Sequence, residues 1–155
     1  MNQILNYRRI VAFLPNELKD LVKSYCNPYE EHWQKQVDDI AEKYDLNKTG
    51  FKEFGKTESA VHKFKKCDLK NIIKCKNQIP HIFRPLKTYS KYCVGSYGGK
   101  HDVERYRNKQ SEKDPYISNG QFIVAMIMNG HVPKKYGINC EFKWAHSIRH
   151  VKKEY

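Results

Sequence analysis

Residues 118–130 read SNGQFIVAMIMNG, the most apolar run in the chain, and the run carries its own start and stop. Ser118 and Gln121 have the S-x-x-Q form of a capping box, in which each side chain accepts the other residue's backbone N–H at a helix start. Asn129-Gly130 supplies the left-handed stop that glycine permits. Between them Phe122, Ile123, Ala125, Met126, Ile127 and Met128 leave the helix apolar on almost every face. Such a helix has to be buried. The chain therefore folds around this segment, and the segment's own role is structural.

At 155 residues the chain is long enough for one domain with a real core, whereas two domains would leave each half barely able to bury one. Apolar residues make up 39% and aromatics 13%, which is a globular composition despite 30% charge. The reading is one domain over 1–155. It comprises an acidic helical hairpin (1–47), a basic middle (48–95), and a helix-loop-helix with a short β-hairpin (96–155). In the first part Leu14, Leu18, Leu21, Val22 and Tyr25 recur at helical spacing, and Asn27-Pro28 reads as a stop. Pro28 then opens a second helix bearing Trp33, Val37, Ile40, Ala41 and Tyr44. In the middle, Thr57-Glu58 starts a short basic helix and Asp68 caps another through Leu69, Ile72 and Ile73. Pro80 and Pro85 interrupt IPHIFRPLKTYSKYCV, which suits an extended segment or short strand. The expected class is α+β, mostly α.

The net charge of +12 is unevenly placed. Residues 1–47 hold six Lys/Arg against eight Asp/Glu, residues 48–110 sixteen against five, and residues 111–155 seven against four. A surplus concentrated in the middle third attracts polyanions: nucleic acid first, an acidic protein after that. Lys63, Lys65, Lys66, Lys70 and Lys74 crowd the basic helices. Basic residues also alternate with aromatics around Phe64, Tyr89, Tyr92, Tyr106 and Tyr136, a pattern that sets phosphate contacts beside stacking faces. The competing reading makes the aromatics core residues with lysine stems lying over them.

Upstream of the capped run, Ser96 is the nearest cap for a helix of about Lys100 to Lys109, with Gly98 and Gly99 weakening its first turn. This helix, the polar segment 110–117 and the apolar helix form a helix-turn-helix-like unit. GHVPKKYGINCEFKWAHS follows as a hairpin or wing around Ile138 to Trp144, with Lys134, Lys135 and Tyr136 near its tip. The apolar helix has no polar face to offer a groove. Contacts fall instead to Lys100, Arg105 and Arg107 on the first helix and to the wing, so phosphate-backbone binding is favoured over base readout. SYGGKHDVERY followed by YISNGQFIVAMIMNGH is similar to a pattern in small uncharacterised proteins of phages and large DNA viruses, where S-Y-G-x-K-H-x-x-E precedes Y-[IV]-S-N-G-x-F-I-x-A. The match covers about a quarter of the chain. The resemblance implies a viral or mobile-element origin, with Lys100, His101, Glu104, Asn119 and Gly120 at matching positions, and it brings no activity.

Enzyme chemistry finds little to build on. His101 and Glu104 stand three apart but lack the second histidine of H-E-x-x-H, and an ordinary hydrogen bond or ion pair explains them. His62, Cys67, Cys75, His81, Cys93 and Cys140 are zinc candidates without the tight pair that zinc fingers use. No G-x-S-x-G or phosphate-binding glycine loop occurs. Five cysteines without a C-x-x-C pair suit a reducing compartment, and the N-terminus lacks the order of a secretory signal. The chain thus reads as a non-enzymatic DNA- or RNA-binding protein, without a cofactor, of the cytoplasm, nucleus or virion. The alternative is a viral interaction module that occupies an acidic surface or nucleic-acid channel of a host protein.

Overall fold

The computed structural model describes residues 15–53 and 62–146, with the side chains of 16–29 outside that description. The chain divides into two compact units, Met1–Gln36 and Val37–Tyr155, and the packing that follows is that of the second. In order come α1 (Asn16–Lys43), β1 (Leu46–Asn47), β2 (Gly50–Phe51), α2 (Lys66–Ile82), β3 (Phe83–Pro85), β4 (Val94–Gly95), α3 (Ser96–Lys109), α4 (Asn119–Met128), β5 (Lys134–Tyr136), β6 (Asn139–Phe142) and β7 (Trp144–His146). The fold is α+β and mostly α, with small antiparallel sheets.

Two prolines, one read as a helix stop and one as a break in an extended segment, prove to lie inside helices. α1 is a single helix through Asn27-Pro28, not a hairpin, and α2 runs through Pro80 to Ile82. A proline deletes one backbone bond and crowds the carbonyl four residues back, which bends a helix without having to end it. At Pro80 that carbonyl is Lys76 O, and it accepts the Asn129 Nδ2–H at 3.0 Å instead. Tertiary packing thus replaces the bond that the proline removes. The extended segment expected over residues 79–94 shrinks to β3 and β4 in consequence. The helix expected to open at Thr57-Glu58 lies largely outside the described residues. Asp68 sits in the first turn of α2, not ahead of it, and its carboxylate accepts the Lys65 N–H at 2.7 Å.

α4 is the centre of the unit, as its composition requires. Phe122, Ile123, Val124, Ala125 and Met126 are all fully buried. The capping box forms as expected: Gln121 N–H donates to Ser118 Oγ at 3.2 Å and Ser118 N–H to Gln121 Oε1 at 3.0 Å. Gly130, with φ of +85°, follows the last turn. α2 and α3 pack against α4, and so does β2. Phe122 meets Phe83 and Phe142 edge-on, with ring centres 6.1 and 6.4 Å away. α3 comes close because Gly99 lacks a side chain: a Cβ there would stand 2.5 Å from Phe122 Cζ. The glycine pair that weakens α3 in isolation is what lets it pack.

β6 is the middle strand of the sheet β4-β6-β5, and β3 pairs β7 from Phe83↔His146 to Pro85↔Trp144. The hairpin is β5–β6, from Lys134↔Glu141 to Tyr136↔Asn139, turned by Gly137 at φ +57°. It therefore begins earlier than the expected 138–144, and Lys134, Lys135 and Tyr136 form its first strand, with the tip beyond them.

Candidate functional site

Charge placement along α2 follows from helical geometry. Lys66, Lys70 and Lys74 recur every four residues and share one exposed face, while Leu69, Ile72, Cys75 and Ile79 fill the opposite one. Lys63 and Lys65, both exposed, lead into that face. Lys70, Asn71 and Lys74 form one wall of a cleft of about 1070 Å³. The other wall comes from Tyr97 and Lys100 of α3 and from Lys113, Asp114 and Tyr116 of the connection to α4. Ser118, Asn119 and Gln121, at the start of α4, are buried and line its depth, and the β1–β2 turn closes one end with Lys48 and Thr49.

Most of the cleft's charges are already matched. Lys48 Nζ lies 2.7 Å from Asp68, Lys74 Nζ 2.6 Å from Glu112, and Lys100 Nζ 3.1 Å from Glu104. Lys70 and Lys113 meet no carboxylate among the described residues. The amide donors of the depth are committed too. Gln121 Nε2 donates to Asp68 at 2.8 Å, and Asn119 Nδ2 reaches Thr49 O at 3.0 Å and Asn139 Oδ1 at 3.1 Å. Two tyrosines remain conspicuously open, Tyr97 at 58% and Tyr116 at 60% exposure. The Lys100 head lies between them, 5.4 Å from one ring centre and 5.5 Å from the other.

The spacing of Lys100, His101 and Glu104 acquires a physical reason here. Glu104 accepts from Lys100, from the Ile117 N–H at 3.2 Å and from His101 Nδ1 at 2.7 Å, so it ties the first turns of α3 to the strand of chain entering α4. Burial alone would raise its pKa, but the Ile117, Lys100 and His101 hydrogen bonds outweigh it and hold the carboxyl below its usual value. Gly120 answers the same need for proximity. Its N–H donates to Lys48 O at 2.9 Å, and a Cβ would stand 1.8 Å from Asn47 O.

Arg107 is the clearest correction to the sequence-derived set. It is fully buried, so it does not contact an external phosphate. Its Nε donates to Gln78 Oε1 at 2.8 Å, and its Nη1 to Asn71 Oδ1 at 2.6 Å and Tyr116 O at 3.2 Å. The amphipathic spacing of α3 puts residue 107 one turn past Val103 on the inward face, where the sequence shows only another arginine in a basic run. Lys100 is likewise buried and paired, so it contributes a positioned head to the cleft instead of surplus charge. Of the remaining expected residues, Lys70 and Lys74 meet in the cleft. Arg105 pairs with Asp102 on another face of α3. Lys134 lies over the Tyr89 ring and Lys135 over Phe51. Tyr136 is half exposed on β5. Lys48, Tyr97, Lys113 and Tyr116 were not singled out by sequence. No local signal marks them, because they converge only when α2, α3 and the 110–117 connection pack together.

The zinc candidates do not assemble. Cys75 and Cys140 are buried, and burial pushes each thiol up to about 12. Cys67 and His81 are exposed on α2, and the Cys93 sulfur accepts the Ser90 N–H at 3.2 Å. Among the described residues no three His, Cys, Asp or Glu side chains come together as a metal-binding group. Among them, too, no helix is long and apolar enough to cross a membrane. No family model, curated protein or solved structure matches this chain.

Proposed function

We propose that this chain is a non-enzymatic nucleic-acid-binding protein that grips the phosphate backbone, of viral or mobile-element origin. The observation that carries the reading is the lysine face of α2, where Lys66, Lys70 and Lys74 stand in register, Lys70 and Lys74 line one wall of a cleft, and exposed Lys63 and Lys65 lead into the row. Backbone binding needs such a row of exposed cations and no particular base edge. α4, the element placed where a recognition helix would be, is buried and has no face for a groove. The origin rests on the resemblance of residues 96–131 to phage and large-DNA-virus proteins.

The test is titration of nuclease-treated protein against labelled duplex DNA, single-stranded DNA and RNA at several salt concentrations, with Lys63, Lys65 and Lys66 changed together to Glu in a second preparation. Each lost phosphate contact lowers the log–log salt slope by about 0.9 on duplex and about 0.7 on a single strand. The triple variant is expected to bind every sequence more weakly with a flatter slope. An unchanged affinity and slope would remove these lysines from the interface. A second reading, an interaction module for an acidic protein surface, draws on the β5–β6 hairpin. There Val132 (71% exposed) and Ile138 (39%) flank exposed Lys134 and Lys135. A partner recovered from lysate after nuclease treatment, together with weak binding to all three nucleic acids, would favour that reading.

A further inference from the structure

We infer that the cleft takes single-stranded nucleic acid, with bases stacked on Tyr97 and Tyr116 and phosphates on Lys70 and Lys113; the inference rests on the nucleic-acid reading above and narrows it. The Lys100 head lies 5.4 Å from one ring centre and 5.5 Å from the other, so the two centres lie within about 11 Å of each other. The Tyr97 ring and the Tyr116 backbone are held in place. His101 meets the Tyr97 ring edge-on at 4.8 Å between centres, and the Tyr116 carbonyl accepts from Arg107 at 3.2 Å and from Asn71 at 3.1 Å. A large aromatic surface left exposed but fixed in position is what a base-stacking platform requires.

A duplex has no use for these rings, because its base faces are stacked against one another and only its edges and phosphates are open. An unpaired strand presents both base faces and phosphates to the same groove. The charge pattern fits a short stretch of strand. Asp68, Glu104 and Glu112 are each neutralised by a lysine, which leaves Lys70 and Lys113 as cleft cations without a carboxylate among the described residues. Two cations and two platforms match about two nucleotides, and two phosphate contacts contribute about 1.4 to the single-strand salt slope. Gln121 and Asn119 are buried and spend their side-chain donors inside the protein, so binding is expected to tolerate any sequence.

The test uses the full chain with labelled oligothymidine, oligoadenine and a mixed-sequence duplex of the same length. Wild-type protein binds both single strands more tightly than the duplex. Tyr97→Ala and Tyr116→Ala each weaken single-strand binding roughly five- to hundred-fold while leaving duplex affinity and both salt slopes in place. Tyr97→Phe and Tyr116→Phe keep the ring and stay near wild type. Because both side chains are largely exposed and Arg107 holds the backbone of Tyr116, the alanine variants should melt with the wild type. Irradiation of a 5-iodouracil oligonucleotide complex gives a readout independent of substitution, with crosslinks expected at Tyr97 or Tyr116. A double alanine variant with unchanged single-strand affinity, an equal loss on duplex, or crosslinks only elsewhere would overturn the inference while leaving salt-dependent backbone binding intact. Absence of salt-dependent binding to any of the three ligands would overturn both.

Discussion

Replacing Arg107 by Leu should destabilise the fold while leaving the lysine face of α2 untouched. The side chain is fully buried, and its guanidinium joins α2, α3 and the connection to α4 through Gln78, Asn71 and the Tyr116 carbonyl. Leucine fills part of the volume but leaves Asn71 Oδ1 and Gln78 Oε1 without that donor, while Tyr116 O keeps the Asn71 Nδ2–H at 3.1 Å. Each orphaned acceptor costs about 1–3 kcal/mol if it stays dry, and removing one partner of a buried charged network typically costs about 3–5 kcal/mol in all. For a chain of this size that corresponds to a fall in Tm of about 6–20 °C. Arg107→Lys keeps the charge but has no planar fork to serve three acceptors, so it should recover only part of the loss. Thermal and urea unfolding followed by circular dichroism measure the effect. A leucine variant that melts within about 2 °C of wild type and loses nucleic-acid affinity would refute the reasoning, since it would place Arg107 at a ligand instead of inside the protein.

Two glycine substitutions should move stability in opposite directions. Gly120→Ala forces a Cβ to 1.8 Å from Asn47 O, so the β1–β2 turn must leave α4, at about 3 kcal/mol. Gly98→Ala meets nothing within 4 Å inside α3 and should stabilise by about 0.5–1 kcal/mol; paired melting curves check both. His131 Nδ1 accepts the Trp144 Nε1–H at 2.9 Å, and burial lowers its affinity for a proton from the ordinary 6.5. The unfolded chain therefore binds the extra proton first, so stability should fall as pH drops below 6.5 toward the lower native value. His131→Gln keeps an acceptor for the indole and should flatten that part of the curve, which urea titrations across pH will show.

Local sequence settled the elements whose physics is local. The Ser118–Gln121 capping box, the Gly130 stop and the all-round apolar face of α4 each act within a few residues, and all three stand as read. The four-residue lysine spacing of α2 is equally local, since a helix face needs only its own periodicity. The errors share one cause, which is that a distant residue changes the balance. Pro28 looked like a helix stop and Pro80 like a break in an extended segment, yet α2 continues through Pro80, where Asn129, from the far end of α4, occupies the carbonyl that the proline frees. Arg107 looked like one more surface cation, and only the approach of Asn71, Gln78 and Tyr116 makes a buried guanidinium tolerable. The paired glycines looked like a weak helix start, and the nearness of Phe122 explains Gly99. By itself the sequence determined a basic, mostly helical chain built around one buried helix, because composition, capping and periodicity are short-range. The tertiary structure alone decided which lysines are neutralised and that Tyr97 and Tyr116 share a cleft, because charge pairing and concavity depend on segments that only packing brings together.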